Sequence, residues 1–487
     1  MPLKLRLFVL FTVLSFPLPA AQQGRAPADD AAPAADEAPQ HVRIRNIEIT
    51  TRDVFAREDA ARRPLYRLFN GLHWSTREEV IRRELWFKEG DVVTQPQIEE
   101  LERNLRALGI FGEVRIEQLR VANGDTDLRI VTRDRFSFIP IVVPFSVGGV
   151  DGFQAFLSER NLFGKGDRLT LSGSSNTENE QSVNLSFTDL HFFDTWHRMR
   201  ASVSSTEEGP GFSLGIDRPF KHLRDPWSWG GGASSSETEI DFFESGDSVA
   251  EVPVESQFAN VFLAHAGGPH ASRRTVGFDV RYSDTRYGVA RGRDAAIIRV
   301  PNDISRASVG PFFRFDVTGS YDKAERLDTL DFTQDVRLGL RTELLVSGSY
   351  RDERGVDARF EPLASAAASL ALKPLPATYF TFAASGSARW HAGETQGWSQ
   401  SAALHAFQQS LPRQTLAANI SYDEVFEREE LTVQITLGED NGLRGYPARQ
   451  FSGTQRLRVN VEDRIDTGLE LRSVHLGLVL FFDAGWI

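Results

Sequence analysis

Two hydrophobic rhythms divide the chain. Between residues 42 and 134 the apolar positions switch between a period of two and one of three to four, and beyond residue 135 only the period of two is left. In HVRIRNIEIT, Val42, Ile44, Ile47 and Ile49 alternate with polar neighbours once one bulge is allowed, which predicts a strand. TREEVIRRELW opens on Thr76 with Glu79 three residues on, the spacing of a capping box. Val80, Ile81 and Leu85 form one apolar stripe, so a helix is expected. A Gly90-Asp91 turn follows, then a second helix from near Pro96 to a stop at Gly109, with Ile98, Leu101, Leu105 and Leu108 on its buried face. Alternation resumes around Val114 to Val121 and Thr126 to Thr132. The order over 41–134 is strand, helix, helix, strand, strand, an α+β domain.

From 135 to 487 the alternation recurs. In QSVNLSFTDL, Val183, Leu185 and Phe187 face away from Asn184, Ser186 and Thr188; in TVGFDVRYSD, Val276, Phe278, Val280 and Tyr282 oppose Gly277, Asp279, Arg281 and Ser283. DVRLGLRT and LTVQITLG repeat the theme. One apolar and one polar face suit a soluble sandwich or a membrane barrel. Charged and glycine positions persist on the polar faces and many connections are long and polar, which favours an antiparallel transmembrane β-barrel with lipid outside and a wet lumen. Phe192, Phe193, Trp196, Trp227 and Trp229 cluster near strand ends, where amphipathic rings suit a bilayer interface.

The amino terminus narrows the compartment. Lys4 and Arg6 precede an apolar run from Leu7 to Leu18 and small residues at Ala20 and Ala21, the pattern of a secretory signal peptide over 1–21. The Ala/Pro-rich, acidic stretch 22–40 reads as a disordered linker. No later apolar run reaches the ~18 residues of a spanning helix. With no cysteine, disulfide scaffolding, thiolate catalysis and zinc–thiolate binding are excluded. Acids and bases balance over 41–134, so nearly all of the net charge of -12 lies beyond residue 135, and a nucleic-acid partner is not expected. There is no G-x-S-x-G, H-E-x-x-H or P-loop, and His222, His265, His391 and His405 share no ligand spacing. No enzyme, cofactor or metal is expected.

FKEGDVVTQPQIEELERNLRALGIFGEVRIE, with its strand and helix order, resembles a POTRA domain, the periplasmic module of outer-membrane assembly and secretion proteins. SERNLFGKGDRLTLSG, FTDLHFFDTWHRMRASV and DRPFKHLRDPWSWG resemble successive barrel hairpins of the BamA/TamA superfamily. The resemblance covers almost everything after residue 41. It implies a bacterial outer-membrane protein with its POTRA domain in the periplasm. Client outer-membrane or secreted polypeptides, outer-membrane lipids and periplasmic accessory proteins are the implied partners. Clients would dock on the POTRA edge strand and pass to a barrel seam for insertion or translocation. A two-partner-secretion-type transporter, a passive porin-like channel and a surface adhesin are the rival readings.

Leu443, Arg444, Gly445 and Tyr446 resemble the superfamily's lumen-loop signature, whose arginine pairs with acids on the two following strands. Side-chain parity provides a separate check. Leu457, Val459 and Val461 mark the outer face of one strand, so Arg456, Arg458, Asn460 and Glu462 point inward. On the next, Val474, Leu476, Leu478, Leu480 and Phe482 mark the outer face and Asp483 points inward. Glu462 and Asp483 are therefore the expected partners of Arg444, with Gly445 allowing a close turn and Tyr446 packing on the wall. FFDAGWI resembles a thirteenth strand, so about 13 strands of an expected 16 are present and the barrel is read as C-terminally incomplete.

Overall fold

The computed structural model describes residues 9–10, 41–55, 71, 73–121, 124–177, 180–222, 224–269, 271–325, 327, 333–428, 430–431, 433–471 and 474–487. The expected leader and linker lie outside the described residues, except Val9–Leu10, which pairs with Leu480 and Val479. The amino-terminal domain comprises β1 (His41–Arg52), α1 (Glu78–Glu84), β2 (Val92–Thr94), α2 (Gln95–Ala107), β3 (Phe111–Arg120) and β4 (Thr126–Asp134). Its sheet order is β2-β1-β4-β3, with β1 and β4 parallel and β3 at an edge. Ile44, Ile47, Val80, Ile81, Ile98, Leu101 and Leu105 pack into one core with Leu128 and Ile130, and the bulge in β1 falls between Ile44 and Asn46. The short β2 replaces a plain turn between the helices.

The capping box sits elsewhere than expected. At α2 the Thr94 N–H donates to Gln97 Oε1 at 2.9 Å. At α1 the residue preceding the helix is Arg77, which makes no side-chain cap. Thr76 is drawn away by partners on both sides of the domain boundary: its N–H donates to Asp134 Oδ2 of β4 at 2.7 Å, and its hydroxyl accepts from Asn161 Nδ2 of the barrel at 2.9 Å.

One sheet of 19 strands holds the rest, counting Val9–Leu10 and the five-residue β16 (Val356–Phe360). It begins with β5 (Phe138–Val147), β6 (Val150–Leu162), β7 (Asp167–Asn176), β8 (Gln181–Phe192), β9 (His197–Thr206) and β10 (Pro210–Arg218). Longer strands follow: β11 (Trp227–Glu244), β12 (Asp247–Gly267), β13 (Ser272–Tyr287), β14 (Ile304–Glu325) and β15 (Thr333–Glu353). After β16 come β17 (Leu363–Leu375), β18 (Thr378–His391), β19 (Glu394–Gln408) and β20 (Gln414–Glu427). A loop carrying β21 (Ile435–Leu437) and β22 (Phe451–Gly453) leads to β23 (Gln455–Leu471) and β24 (Val474–Trp486). The antiparallel ladders run from β5 round to β24.

FFDAGWI thus lies in the last of many more strands than the expected 13. The expected number rested on the resemblance of FFDAGWI to a thirteenth strand; segments such as β17 (LASAAASLALKPL) and β18 (TYFTFAASGSARWH) carry Ala, Ser and Gly on both faces, which mutes the period of two. Parity holds where the residues are large. Val276, Phe278, Val280 and Tyr282 are exposed on the outer face, while Thr275 and Asp279 are buried on the other.

The two domains meet through polar contacts. Glu84 of α1 accepts from His191 Nε2 at 2.8 Å and from Lys221 Nζ at 3.1 Å. Trp196 Nε1 donates to the Arg83 carbonyl at 2.9 Å, so this ring serves the junction and not the bilayer interface expected of it. Asn104 Nδ2 donates to the Lys221 carbonyl, and Arg103 stacks over Tyr321 at 4.4 Å. The domain therefore spans the rim from the β6–β7 turn to the end of β14. Burial alone pushes the Glu84 carboxyl up, but the His191 hydrogen bond and the Lys221 charge outweigh it and hold it below the ordinary carboxylate range. Its contribution is full above that range and is lost as pH falls through the lowered value. Glu84→Gln leaves Lys221 without its carboxylate, so docking should weaken by about 3 kcal/mol at neutral pH and lose its acid sensitivity. Limited proteolysis of the α1 segment against pH checks both effects.

Candidate functional site

The site is the loop between β20 and β23, folded into the lumen. A short ladder between β21 and β22 gives it a stem, and a turn of 3₁₀ helix at Glu439–Asn441 carries the chain into LRGY. The Leu443 N–H donates to the Gly438 carbonyl at 2.8 Å, and Gly442 and Gly445 take φ of +104° and +86°. These left-handed positions let the backbone turn twice within four residues, which glycine does without a Cβ clash.

Arg444 sits at the apex of this turn. Its Nε and one terminal nitrogen donate to the two oxygens of Asp483 at 2.7 and 2.8 Å, a bidentate fork. The other terminal nitrogen lies 2.8 Å from Glu462 Oε1, and the Arg444 N–H reaches Asp483 at 3.2 Å. The guanidinium lies over the Phe481 ring, 3.7 Å from its centroid. Asp483 is nearly buried, its side chain 3% exposed, so a carboxylate there depends on its donors. Asn460 adds one, reaching both Asp483 Oδ1 at 2.7 Å and the Gly442 carbonyl at 2.6 Å. Arg458 donates to the Asn441 carbonyl, and Arg456 to the Thr436 carbonyl at 2.8 Å. All four inward residues of β23 named by parity thus face the loop or its arginine.

Tyr446 differs from its expected place. It is 42% exposed with its ring 5.7 Å from Phe451, while Leu443 is the residue of the motif that is buried. Leu443 is thus enclosed beside the arginine, and Tyr446 packs on Phe451 within the loop.

Further anchors escape any reading of the sequence. At the start of the loop Glu430 accepts from Arg306 of β14 and from Arg389 of β18, the latter at 2.5 Å. Behind them Arg351 and Glu361, 1% and 0% exposed, pair at 3.2 Å, and Arg359 joins Glu361 at 2.7 Å. At the far end, Glu439 accepts from the Gly148 N–H at 2.7 Å and the Ala448 N–H donates to the Gly148 carbonyl. A Cβ on Gly148 would stand 2.1 Å from the Ala448 nitrogen, so only glycine fits this crossing. Arg449 stacks over Phe243 of β11 at 4.9 Å, and Ser452 donates to the Phe243 carbonyl. The loop therefore touches the wall on several sides. Residues hundreds of positions apart carry no local signal of this.

Arg444→Ala should strip Asp483 of its fork and lower barrel stability by about 3 kcal/mol, whereas Arg444→Lys, which keeps the charge but not the planar fork, should recover less than half of that. The loss of heat-modifiable mobility on cold gels reads both. A Glu430→Gln change should loosen the loop base with Arg444 intact, seen as new protease cleavage between 428 and 434.

Residues 68–133 match the family model for POTRA, the surface antigen variable number repeat, and residues 161–371 match that for the Omp85 superfamily domain. Among solved structures the chain is similar to BamA from Haemophilus ducreyi lacking POTRA domains 1–3, at 12% identity over 91% of this chain and 84% of that one, with TM-score 0.35. It is also similar to CdiB from Acinetobacter baumannii (11%, 96% and 95%, TM-score 0.37) and CdiB from Escherichia coli (12%, 91% and 76%, TM-score 0.41). No curated protein sequence matches it. Omp85 proteins are non-enzymatic factors that insert or secrete client polypeptides at the outer membrane. A POTRA domain over residues 68–133 thus leads into an Omp85 superfamily domain over 161–371, the arrangement of an outer-membrane β-barrel with a periplasmic POTRA domain.

Proposed function

We propose that this chain inserts client polypeptides into the outer membrane through the wall of its barrel, beside β5, and not through an open lumen. The observation that carries the reading is the first barrel strand. β5 (FIPIVVPFSV) contains Pro140 and Pro144, two backbone nitrogens with no N–H to give to a ladder, and proline in a strand belongs to an edge. A strand short of donors on its pairing edge makes a weak seam, where an incoming strand displaces few bonds.

The lumen is a poor route because the loop fills it. Arg444 ties the loop to β23 and β24, Glu430 ties it to β14 and β18, and Gly148 ties it to the β5–β6 turn. A passive channel needs that space free. On the periplasmic side β3 lies at the edge of the POTRA sheet with Leu119 exposed, a strand edge able to hold an extended client by backbone hydrogen bonds. The client then passes along the rim to β5, which follows β4 after three residues. No bond is made or broken in the client, so no catalytic group is required.

The test is reconstitution in liposomes with an unfolded barrel protein as client. Insertion should run several-fold faster than into protein-free liposomes. Restoring two donors with Pro140→Val and Pro144→Val should slow it while raising the temperature at which the barrel unfolds. No acceleration by the unmodified chain, or secretion of the client through it without insertion, contradicts the proposal.

A further inference from the structure

Two periplasmic turns hold large rings in an unusual way. Phe163, between β6 and β7, and Phe193, between β8 and β9, take φ of +57° and +54°, left-handed conformations in which bulky side chains are outliers. They are nevertheless 55% and 81% exposed. Strain of this kind persists where surrounding structure enforces it, and here no buried core rewards the rings for it. The POTRA domain brings a third ring to the same place. Trp74, in the segment leading into α1 and 43% exposed, stands 5.2 Å from Phe163.

What covers these rings follows from where they lie. Both turns close hairpins whose outward rows, Leu157 and Leu171 on one and Leu185 on the other, are exposed apolar residues of the lipid-facing wall. The rings continue that surface past the strand ends, at the depth where a barrel carries its aromatic girdle. Cations flank them as phosphate headgroups require: Lys165 is exposed two residues beyond Phe163, and the exposed Arg77 passes beside Gly164 in the same turn. The nearby acids have partners of their own: Asp194 pairs with Arg83 and Glu78 with Arg82, each at 2.6 Å, and Asp53 accepts from the Ser75 hydroxyl at 2.7 Å.

We propose that Trp74, Phe163 and Phe193 form a membrane-contact surface for the periplasmic phospholipid leaflet. The POTRA domain is then held by the bilayer as well as by Glu84 and its partners, and its orientation under the barrel rim is set by both. The proposal does not depend on the route taken by clients. An apolar client segment is the rival occupant.

The absence of cysteine makes the test direct. In the full chain, Trp74→Cys, Phe193→Cys and, as a reference, Leu119→Cys at the far end of β3 are each labelled with a polarity-sensitive dye. They are reconstituted in phosphatidylethanolamine/phosphatidylglycerol vesicles with or without brominated acyl chains, with heat-modifiable mobility as the check of folding. Quenching at 74 and 193 should exceed that at 119 by at least about threefold. Equal quenching at 74 and 119 overturns the proposal. So does a label at 74 that is shielded only after an unfolded client is added, which assigns the surface to clients.

Discussion

The fork from Arg444 to Asp483 is the contact on which the lumen side of the structure depends. A carboxylate 3% exposed has lost its water and needs donors in its place, and it receives a bidentate guanidinium, a backbone N–H and the Asn460 amide. The arginine in turn has its second carboxylate in Glu462 and a ring beneath it. Each group satisfies another, so the two strands and the loop are specified together. Remove the planar cation and two inward carboxylates are left as diagonal neighbours on adjacent strands.

The same logic of charges in a low-dielectric setting recurs through the protein. Arg351 and Glu361 are fully enclosed and pair with neighbours on β14, β15 and β16, at the base of the loop. Glu84, His191 and Lys221 do this between the domains. Buried pairs add little net stability compared with apolar packing, but they tolerate few alternative arrangements. An outward apolar face that lipid cannot discriminate leaves these inward pairs to set register and loop position.

Much of this is legible in the sequence where side chains are large and local. Ile98, Leu101 and Leu105 announce a helix, and Leu457, Val459 and Val461 set a parity that turns Glu462 toward Arg444. The reading falters where that signal weakens or competes. Ala and Ser on both faces of β17 and β18 mute the alternation that marks strands elsewhere. Thr76 has the spacing of a cap, yet Asp134 and Asn161 offer it partners that only the assembled domains supply. Glu430 and Gly148 are in the same position: their partners lie far along the chain, and neither residue type declares a contact. Trp196 reads as an interface ring because its indole nitrogen finds Arg83 only in three dimensions.

The POTRA domain docks against the rim and the loop folds into the lumen, and on the proposed reading the wall is where a client enters. That account stands on the loop being locked by its arginine. A double-mutant cycle on Arg444→Ala and Asp483→Asn, read as the change in barrel unfolding free energy in denaturant, tests it most directly. A coupling of about 2 kcal/mol, with the double variant far less damaged than the sum of the single ones, is the predicted result. Additive losses, with coupling below about 0.5 kcal/mol, contradict it.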